Sequence, residues 1–343
     1  MTPTSPDLSA PSLAARVESL RAEEPRLRDR DLAARLGVTE ADLLDLRVGA
    51  GVTRLVPDWD ALLGGLPALG HVMALTRNAT VVHERRGTYG APEGQGHVRL
   101  VLGPDIDLRL FMGQWRAAYA VDAGGRRSVQ VFDGHGDAVH KVHLVEGSDA
   151  DAFAALVHAL ATEVPAPART ARPPRTPARP DGEIDVAGFR AGWAALTDTH
   201  DFFGLLRRFG VTRSQALRLA PPGFADPLST DALGEALRTS AEAGLPIMAF
   251  VGNPGCIQIH TGPVHRVVPT GGWLNVLDPT FNLHVRADRV AACWRVHKPT
   301  LDGVVTSLEV FDVDDELCLQ LFGSRKPGKP QDVGWERIVG ALV

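Results

Sequence analysis

The chain repeats itself. PIMAFVGNPGCIQIHTGPV (246–264) aligns with HVMALTRNATVVHERRGTY (71–89), placing Met248 on Met73. FNLHVRADRVAACWRV (281–296) aligns at the same offset with IDLRLFMGQWRAAYAV (106–121), placing Trp294 on Tyr119. Further on, EVFDVDDE aligns with QVFDGHGD, Phe311 on Phe132, once the second copy is allowed a four-residue insertion near KPTLDG (298–303). A register held over three separate blocks implies duplication of one folding unit. Each copy runs helices first and strands after, so the expected fold is α+β, an internal duplication of a unit with a large antiparallel sheet flanked by helices.

Local patterns fill in that unit. A helix is expected over 14–22. RDRDLAARLGVTEADLLDL (28–46) then reads as helix, turn at Gly37 and a second helix capped by Thr39. From Met73 onward, apolar and polar residues alternate in short runs parted by Gly, Asp and Pro, which predicts an antiparallel meander. Ser148 to Leu160 returns to helix. PAPARTARPPRTPARP (165–180) carries too much proline to pack and is expected to be an extended, exposed linker. Beyond it come helices from Val186 to about Ala243, strands from Pro246 to Phe322, and a closing helix over 333–343. The expected division is a first repeat at 1–164, the linker at 165–182 and a second repeat at 183–343.

The formal net charge of −5 argues against bulk nucleic-acid binding, which needs a basic surface. Three cysteines, Cys256, Cys293 and Cys318, lie far apart without zinc-like spacing and read as small buried residues. The N-terminus lacks the basic-then-apolar pattern of a secretory signal, and no apolar run is long enough to span a bilayer. A cytoplasmic protein without stable membrane insertion is the expectation.

Two stretches carry candidate chemistry. LTDTHDFFGLLRRFGVTR (196–213) places His200 at a helix start, where an imidazole either caps the helix or offers a lone pair to a metal. Asp198 or Asp201 either caps the same helix or fixes the imidazole tautomer. Phe202, Phe203, Leu205 and Leu206 give an apolar wall or simply core. In DLRLF (107–111), alternation puts Arg109 on one strand face with Asp107 and Phe111. Its guanidinium either pairs with an acid or hydrogen-bonds a small oxygen ligand. In HGDAVHKVH, His140 and His143 face opposite sides of a strand, so a shared metal is not expected, and His260 and His284 fit exposed strand positions. The copies also differ where it matters. Leu27 stands at the place of His200, Glu40 at that of Arg213 and His284 at that of Arg109.

Taken together, TDTHDFFGLLRRFGVTR (197–213), FNLHVRAD (281–288), WRVHKPTLDGVVTSLEVFD (294–312), FGSRKPGKP (322–330) and DLRLF resemble the cytoplasmic hemin-degrading or haem-trafficking proteins of bacterial haem-uptake operons. The resemblance spans nearly the whole chain and implies two stacked copies of the unit. It also implies one haem (b-type, as ligand and possibly substrate) in a cleft on the second-half helices, with a first-half strand approaching its other face. By that resemblance His200 is the proximal iron ligand, Arg109 faces the distal side as the catalytic residue, and Phe111 packs nearby. Arg213, Lys298 and Arg325 meet the propionates or line the pocket, and His83 is a candidate second contact. The segment after DLRLF departs from the family, reading MGQW where many relatives carry Pro and His.

Haem needs an iron ligand, flat apolar walls, cations for two propionates and a distal group, and these residues supply each type. Three functions follow as expectations. The first is an enzyme that opens the porphyrin with an external reductant and releases iron. The second is a carrier that takes haem from an inner-membrane importer to a separate haem oxygenase. The third, a DNA-binding regulator built on the helix pair at 28–46, is disfavoured because an equivalent pair opens the second copy.

Overall fold

A computed structural model describes residues 11–325 and 328–343. The first half contains α1 (Leu13–Glu23), α2 (Asp29–Leu36), α3 (Glu40–Asp45), β1 (Val52–Leu55), α4 (Trp59–Gly65), β2 (Gly70–Arg77), β3 (Val81–Thr88), β4 (Pro92–Glu93), β5 (Val98–Leu102), β6 (Asp107–Phe111), β7 (Trp115–Ala123), β8 (Arg126–Asp133), β9 (Ala138–Ser148) and α5 (Ala150–Leu160). The second half contains α6 (Val186–Ala194), α7 (Asp201–Phe209), α8 (Arg213–Arg218), β10 (Ala225–Leu228), α9 (Ala232–Glu242), β11 (Ile247–Asn253), β12 (Cys256–Gly262), β13 (Val267–Thr270), β14 (Trp273–Leu277), β15 (Phe281–Arg286), β16 (Val290–Thr300), β17 (Gly303–Asp312), β18 (Leu317–Gly323) and α10 (Val333–Ala341). From β1 and its counterpart β10 onward the element order is the same in both halves. Two short strands went unforeseen: β1, and β10 within the run read as helical. Each is only four residues long and pairs along the edge of its sheet, with β7 or with β16.

The strands form two nine-stranded antiparallel sheets, ordered β1-β7-β8-β9-β2-β3-β15-β14-β13 and β10-β16-β17-β18-β11-β12-β6-β5-β4. The halves therefore exchange strands. In each sheet six strands come from one half and three from the other. The seams are β3 with β15, where Leu283 lies opposite His83, and β12 with β6, where Ile257 lies opposite Arg109. Each seam caps what would otherwise be an open strand edge, with its unpaired N–H and C=O groups.

The two sheets face each other across a shared core. Leu108 and Leu110 from β6 and Cys256 from β12 pack with Val72, Ala74 and Ala118 of the other sheet. A second cluster joins Val81, Phe281 and Val285 to Ile247, Ala249 and Val251. Alternation along each strand then turns the intervening residues outward. On one outer face, α3 lays Ala41 and Leu44 against Tyr119 and Phe132. On the other, α6, α7 and α8 lay Trp193, Phe202, Leu206 and Leu217 against Val296 and Phe311. The helix pair at 28–46 is thus the sheet cover that its second-copy counterpart also forms. Thr39 caps α3 in a full capping box with Asp42, as its sequence predicts.

The linker is extended and largely exposed, but it is not loose. Arg169 bonds Asp45 and pairs with Asp42, Arg172 pairs with Asp137, and Arg175 reaches the Asp314 and Asp315 carbonyls across the molecule. Its arginines find their acidic partners within the chain and strap the two halves together.

Candidate functional site

His200 directly precedes α7, and its side chain is 91% exposed. Its backbone N–H and its Nδ1 both reach Asp198 Oδ1, at 2.8 and 2.6 Å. Of the two roles the sequence left open for Asp198, the carboxylate takes the second: His200 itself is the N-cap residue and no side chain caps α7, whereas Asp198 holds the His200 backbone and orients the ring. With Nδ1–H donating to Asp198, the free lone pair sits on Nε2 and points outward. The hydrogen bond from the His200 backbone, then that from its ring, hold the Asp198 carboxyl below its ordinary range. Helix α7 continues with Phe202, Leu205 and Leu206 buried and closes at Gly210, whose φ of 64° a residue with a Cβ adopts only with strain. Phe203 is 62% exposed with the Arg207 guanidinium over its ring, so it is surface rather than core.

Beneath α7 lies a charged triad. Glu309 on β17 is fully buried and accepts from Arg213 Nε and Nη2 at 2.9 and 2.6 Å and from Lys298 Nζ at 2.7 Å. Gln320 adds a bond at 3.2 Å. Both cations also lie 4.9 Å from the Phe202 ring centroid. Burial works against every charge here. It lowers Lys298 to about 8 despite the carboxylate beside it. Burial alone would raise Glu309, but the Arg213 charge and then the Lys298 charge outweigh it and keep the carboxyl well below its usual range. Two cations around one carboxylate leave a net positive charge under the helix that carries His200. Lys298 is only 3% exposed, so its ammonium serves Glu309 and does not reach the surface as a propionate contact. Arg325 lies farther out, 3.9 Å from Asp302 and close enough to Asp198 to act on its carboxyl. Lys326 and Pro327 of the RKPG motif lie outside the described residues.

The triad belongs to the outer face of the second sheet. Cross-strand pairing runs from Glu309 to Gln320, Phe250, Ile259 and Asp107. Facing residues on neighbouring strands share a side, so Asp107, Arg109 and Phe111 share that face with Glu309, about 19 Å away across four strand spacings. Strand exchange alone brings Arg109 there. Its guanidinium pairs with Asp107 and donates to the Leu108 carbonyl at 3.2 Å. Phe111, Phe250 and Gln320 are half-buried, whereas Leu108, Leu110, Ala249 and Leu321 on the opposite face are fully buried. His200 and Phe203 are thus exposed at the head of α7, Arg213, Lys298 and Glu309 lie beneath that helix, and Arg109 with Phe111 lies across the same sheet face. Glu309, Gln320 and Phe250 escape sequence reasoning. They sit in strands whose alternation marks a face without saying what faces it.

The remaining histidines fall elsewhere. His260, expected on the surface, is 2% exposed and stacks 3.7 Å from Phe281, because its strand face is the one turned toward the other sheet. His284 is half-buried with Nδ1 2.8 Å from Asn275 Oδ1. His83 is fully enclosed beside Phe281, its ring nitrogens without hydrogen bonds, and presents no surface to a ligand. His140 is buried between Thr76 and Tyr89. Among the described residues no three His, Cys, Asp or Glu side chains gather as a metal-ion site, and the cysteines are buried thiols.

With this geometry in place, comparison with known proteins is specific. The profile of the haemin-degrading HemS/ChuX domain matches twice, at residues 37–160 and 210–342. A hemin transport protein of Yersinia pestis is 40% identical over 329 residues, covering 94% of this chain and 95% of that protein. A haem-binding protein of Pseudomonas aeruginosa, PhuS in its holo form, superposes with a TM-score of 0.93 at 49% identity, covering 96% of this chain and 97% of that one. ChuS, a heme degrading enzyme of Escherichia coli O157:H7, superposes with a TM-score of 0.89 at 36% identity, covering 96% and 98%.

Proposed function

The chain belongs to the family of haemin-degrading HemS/ChuX domains, and from that membership we propose that it binds one haem in the cleft of its second half and opens the porphyrin ring to release iron. The observation that carries the reading is the Asp198–His200 pair: an exposed imidazole whose Nδ1 is engaged and whose Nε2 is free, at the head of a helix backed by net positive charge. When bound, haem supplies both the iron and the ring that reacts, with electrons from an external reductant. The chain supplies the rest. His200 holds the iron and Asp198 keeps that imidazole in the ligating tautomer. Arg325 and the partly exposed Arg213 would meet the propionates, while Lys298, enclosed against Glu309, would contribute only its charge from beneath, and Phe111 with Phe203 would line the macrocycle. Arg109 would be the residue placed to donate a hydrogen bond to a small oxygen ligand of the bound haem.

The first-half equivalents of His200 and Arg213 are Leu27 and Glu40, and the second-half equivalent of Arg109 is His284, so one haem per chain is expected. Haem titration of His200→Ala should show weakened binding and a shifted Soret maximum; an unaltered spectrum removes His200 from the iron. Arg109→Ala should leave affinity within about tenfold, the loss of one hydrogen bond, and alter the haem spectrum.

One feature favours a second reading. A ligand as exposed as His200 suits handover, and relatives include both a degrading enzyme and a haem-binding protein. In that reading the chain carries haem in the cytoplasm from an importer to a separate oxygenase. Incubating the haem complex with ascorbate, with and without catalase, separates the two. Sustained Soret loss with a linear tetrapyrrole product supports degradation, while loss abolished by catalase supports the carrier.

A further inference from the structure

The duplicated scaffold has a counterpart of the haem cleft in its first half, and the chemistry there is different. Where the second copy carries Phe203, Arg213, Gly252 and Gln320, the first carries Arg30, Glu40, Arg77 and Lys141. These four residues occupy the corresponding outer corner of the first sheet. All except Lys141 line one end of a cleft of about 1780 Å³ that runs beneath the linker and reaches Phe250 and Gln320 on the outer face of the second sheet.

The charges in this corner do not balance. Glu40 bonds Lys141 Nζ at 2.5 Å, and its other oxygen lies 4.0 Å from Arg77 Nη1, beyond hydrogen-bond reach. The Arg77 side chain is only 17% exposed, and among the described residues its guanidinium makes no hydrogen bond of good geometry. Arg30 donates to the backbone carbonyls of Asn78 and Ala79, at 3.1 and 3.4 Å, which places it against the segment that follows Arg77 and gives it no carboxylate partner. Asp31, the next acid, is exposed to solvent. One carboxylate thus serves three cations in a partly desolvated corner. By contrast the linker arginines of the same cleft, Arg169, Arg172 and Arg175, are all paired with acids. Burial draws the Arg77 guanidinium down to about 10, the cost of a charge held without a full partner.

We propose that this corner is a second ligand site, in which Arg77 and Arg30 together bind an oxyanion, a phosphate or carboxylate group, free or carried on a larger molecule that fills the cleft. A guanidinium fork matches either group by two parallel N–H···O bonds. The anion offsets the excess positive charge around Glu40 and Lys141. The duplication has then kept one scaffold for two different ligands.

The test is a thermal melt of the full chain in inorganic phosphate, and separately in acetate, against chloride at matched ionic strength. A saturable rise in melting temperature, about 2 °C at ten times the dissociation constant, is expected for one or both anions. Phosphate alone points to a phosphorylated ligand, acetate alone to a carboxylate ligand. Arg77→Gln and Arg30→Gln should abolish the rise, while Arg127→Gln, at an exposed ion pair, should keep it. Without ligand, Arg77→Gln should melt at or above the unsubstituted chain, because an uncompensated buried charge is gone. No anion-specific rise, a rise that persists in Arg77→Gln, or a ligand-free Arg77→Gln that melts far lower or fails to fold overturns the proposal; the last would make the guanidinium a structural tie.

Discussion

In the proposed site two carboxylates, Asp198 and Glu309, each act through another side chain. Asp198 acts on tautomer and direction. Asp198→Ala should lower haem affinity roughly 10- to 100-fold, the usual effect of losing a ligand's orienting partner. A haem titration with affinity unchanged would show that the ring is held by something else. Glu309 acts on charge. With Arg213 and Lys298 both committed to it, Glu309→Gln leaves two cations facing each other in a buried place. A loss of about 3–5 kcal/mol in urea unfolding is expected, typical of breaking a buried pair from one side; a loss under about 1 kcal/mol would mean that the cations relax into solvent.

At the scale of elements, β6 matters beyond its five residues. It carries Arg109 and Phe111 outward while Leu108 and Leu110, both fully buried, anchor it in the core that the sheets share. Leu108→Ala should cost about 2–5 kcal/mol by leaving a cavity there. Because the anchor lies opposite the cleft, the same substitution should loosen the distal side while sparing His200. Calorimetry and the haem spectrum read the two effects separately, and a stability change without any distal change would contradict the coupling. Helix α7 behaves differently, since its buried stripe and its Gly210 stop are local features.

For the whole molecule, strand exchange makes the halves interdependent. Produced alone, residues 1–164 leave β4–β6 without their partner β12, and residues 183–343 leave β13–β15 without β3. Each half should be insoluble or should associate, and the two should co-purify when expressed together. Independently folded, monomeric halves would refute this. The inter-sheet core adds a pH dependence. Burial holds His140 and His260 near 3 and His83 well below its ordinary value, so the fold keeps them neutral. Their folded-state values lie below those of the unfolded chain, about 6.5. Stability is therefore fully present above pH 6.5 and is lost as pH falls toward the folded values, because the unfolded chain binds the protons. Urea melts should show a steep decline between pH 6.5 and 5, equivalent to more than one proton, and a flat profile there would argue against it.

The duplication, the α+β unit, the capped helix pairs and the haem-type residues are legible in the chain because each rests on local spacing: alternation of two, helical periodicity, a cap three residues from its partner. His200 and Arg109 are visible for the same reason, as residue types in short recognisable segments. Which strand lies beside which is decided at long range. The exchange of β4–β6 for β13–β15, the burial of His260 and the meeting of Glu309 with Arg213 all depend on pairings made across tens or hundreds of residues. Backbone hydrogen bonding supplies the same donors and acceptors at every strand edge, so sequence alternation says which side of a strand is apolar but not which edge it joins. Only the packed molecule selects the partner that also completes the shared core.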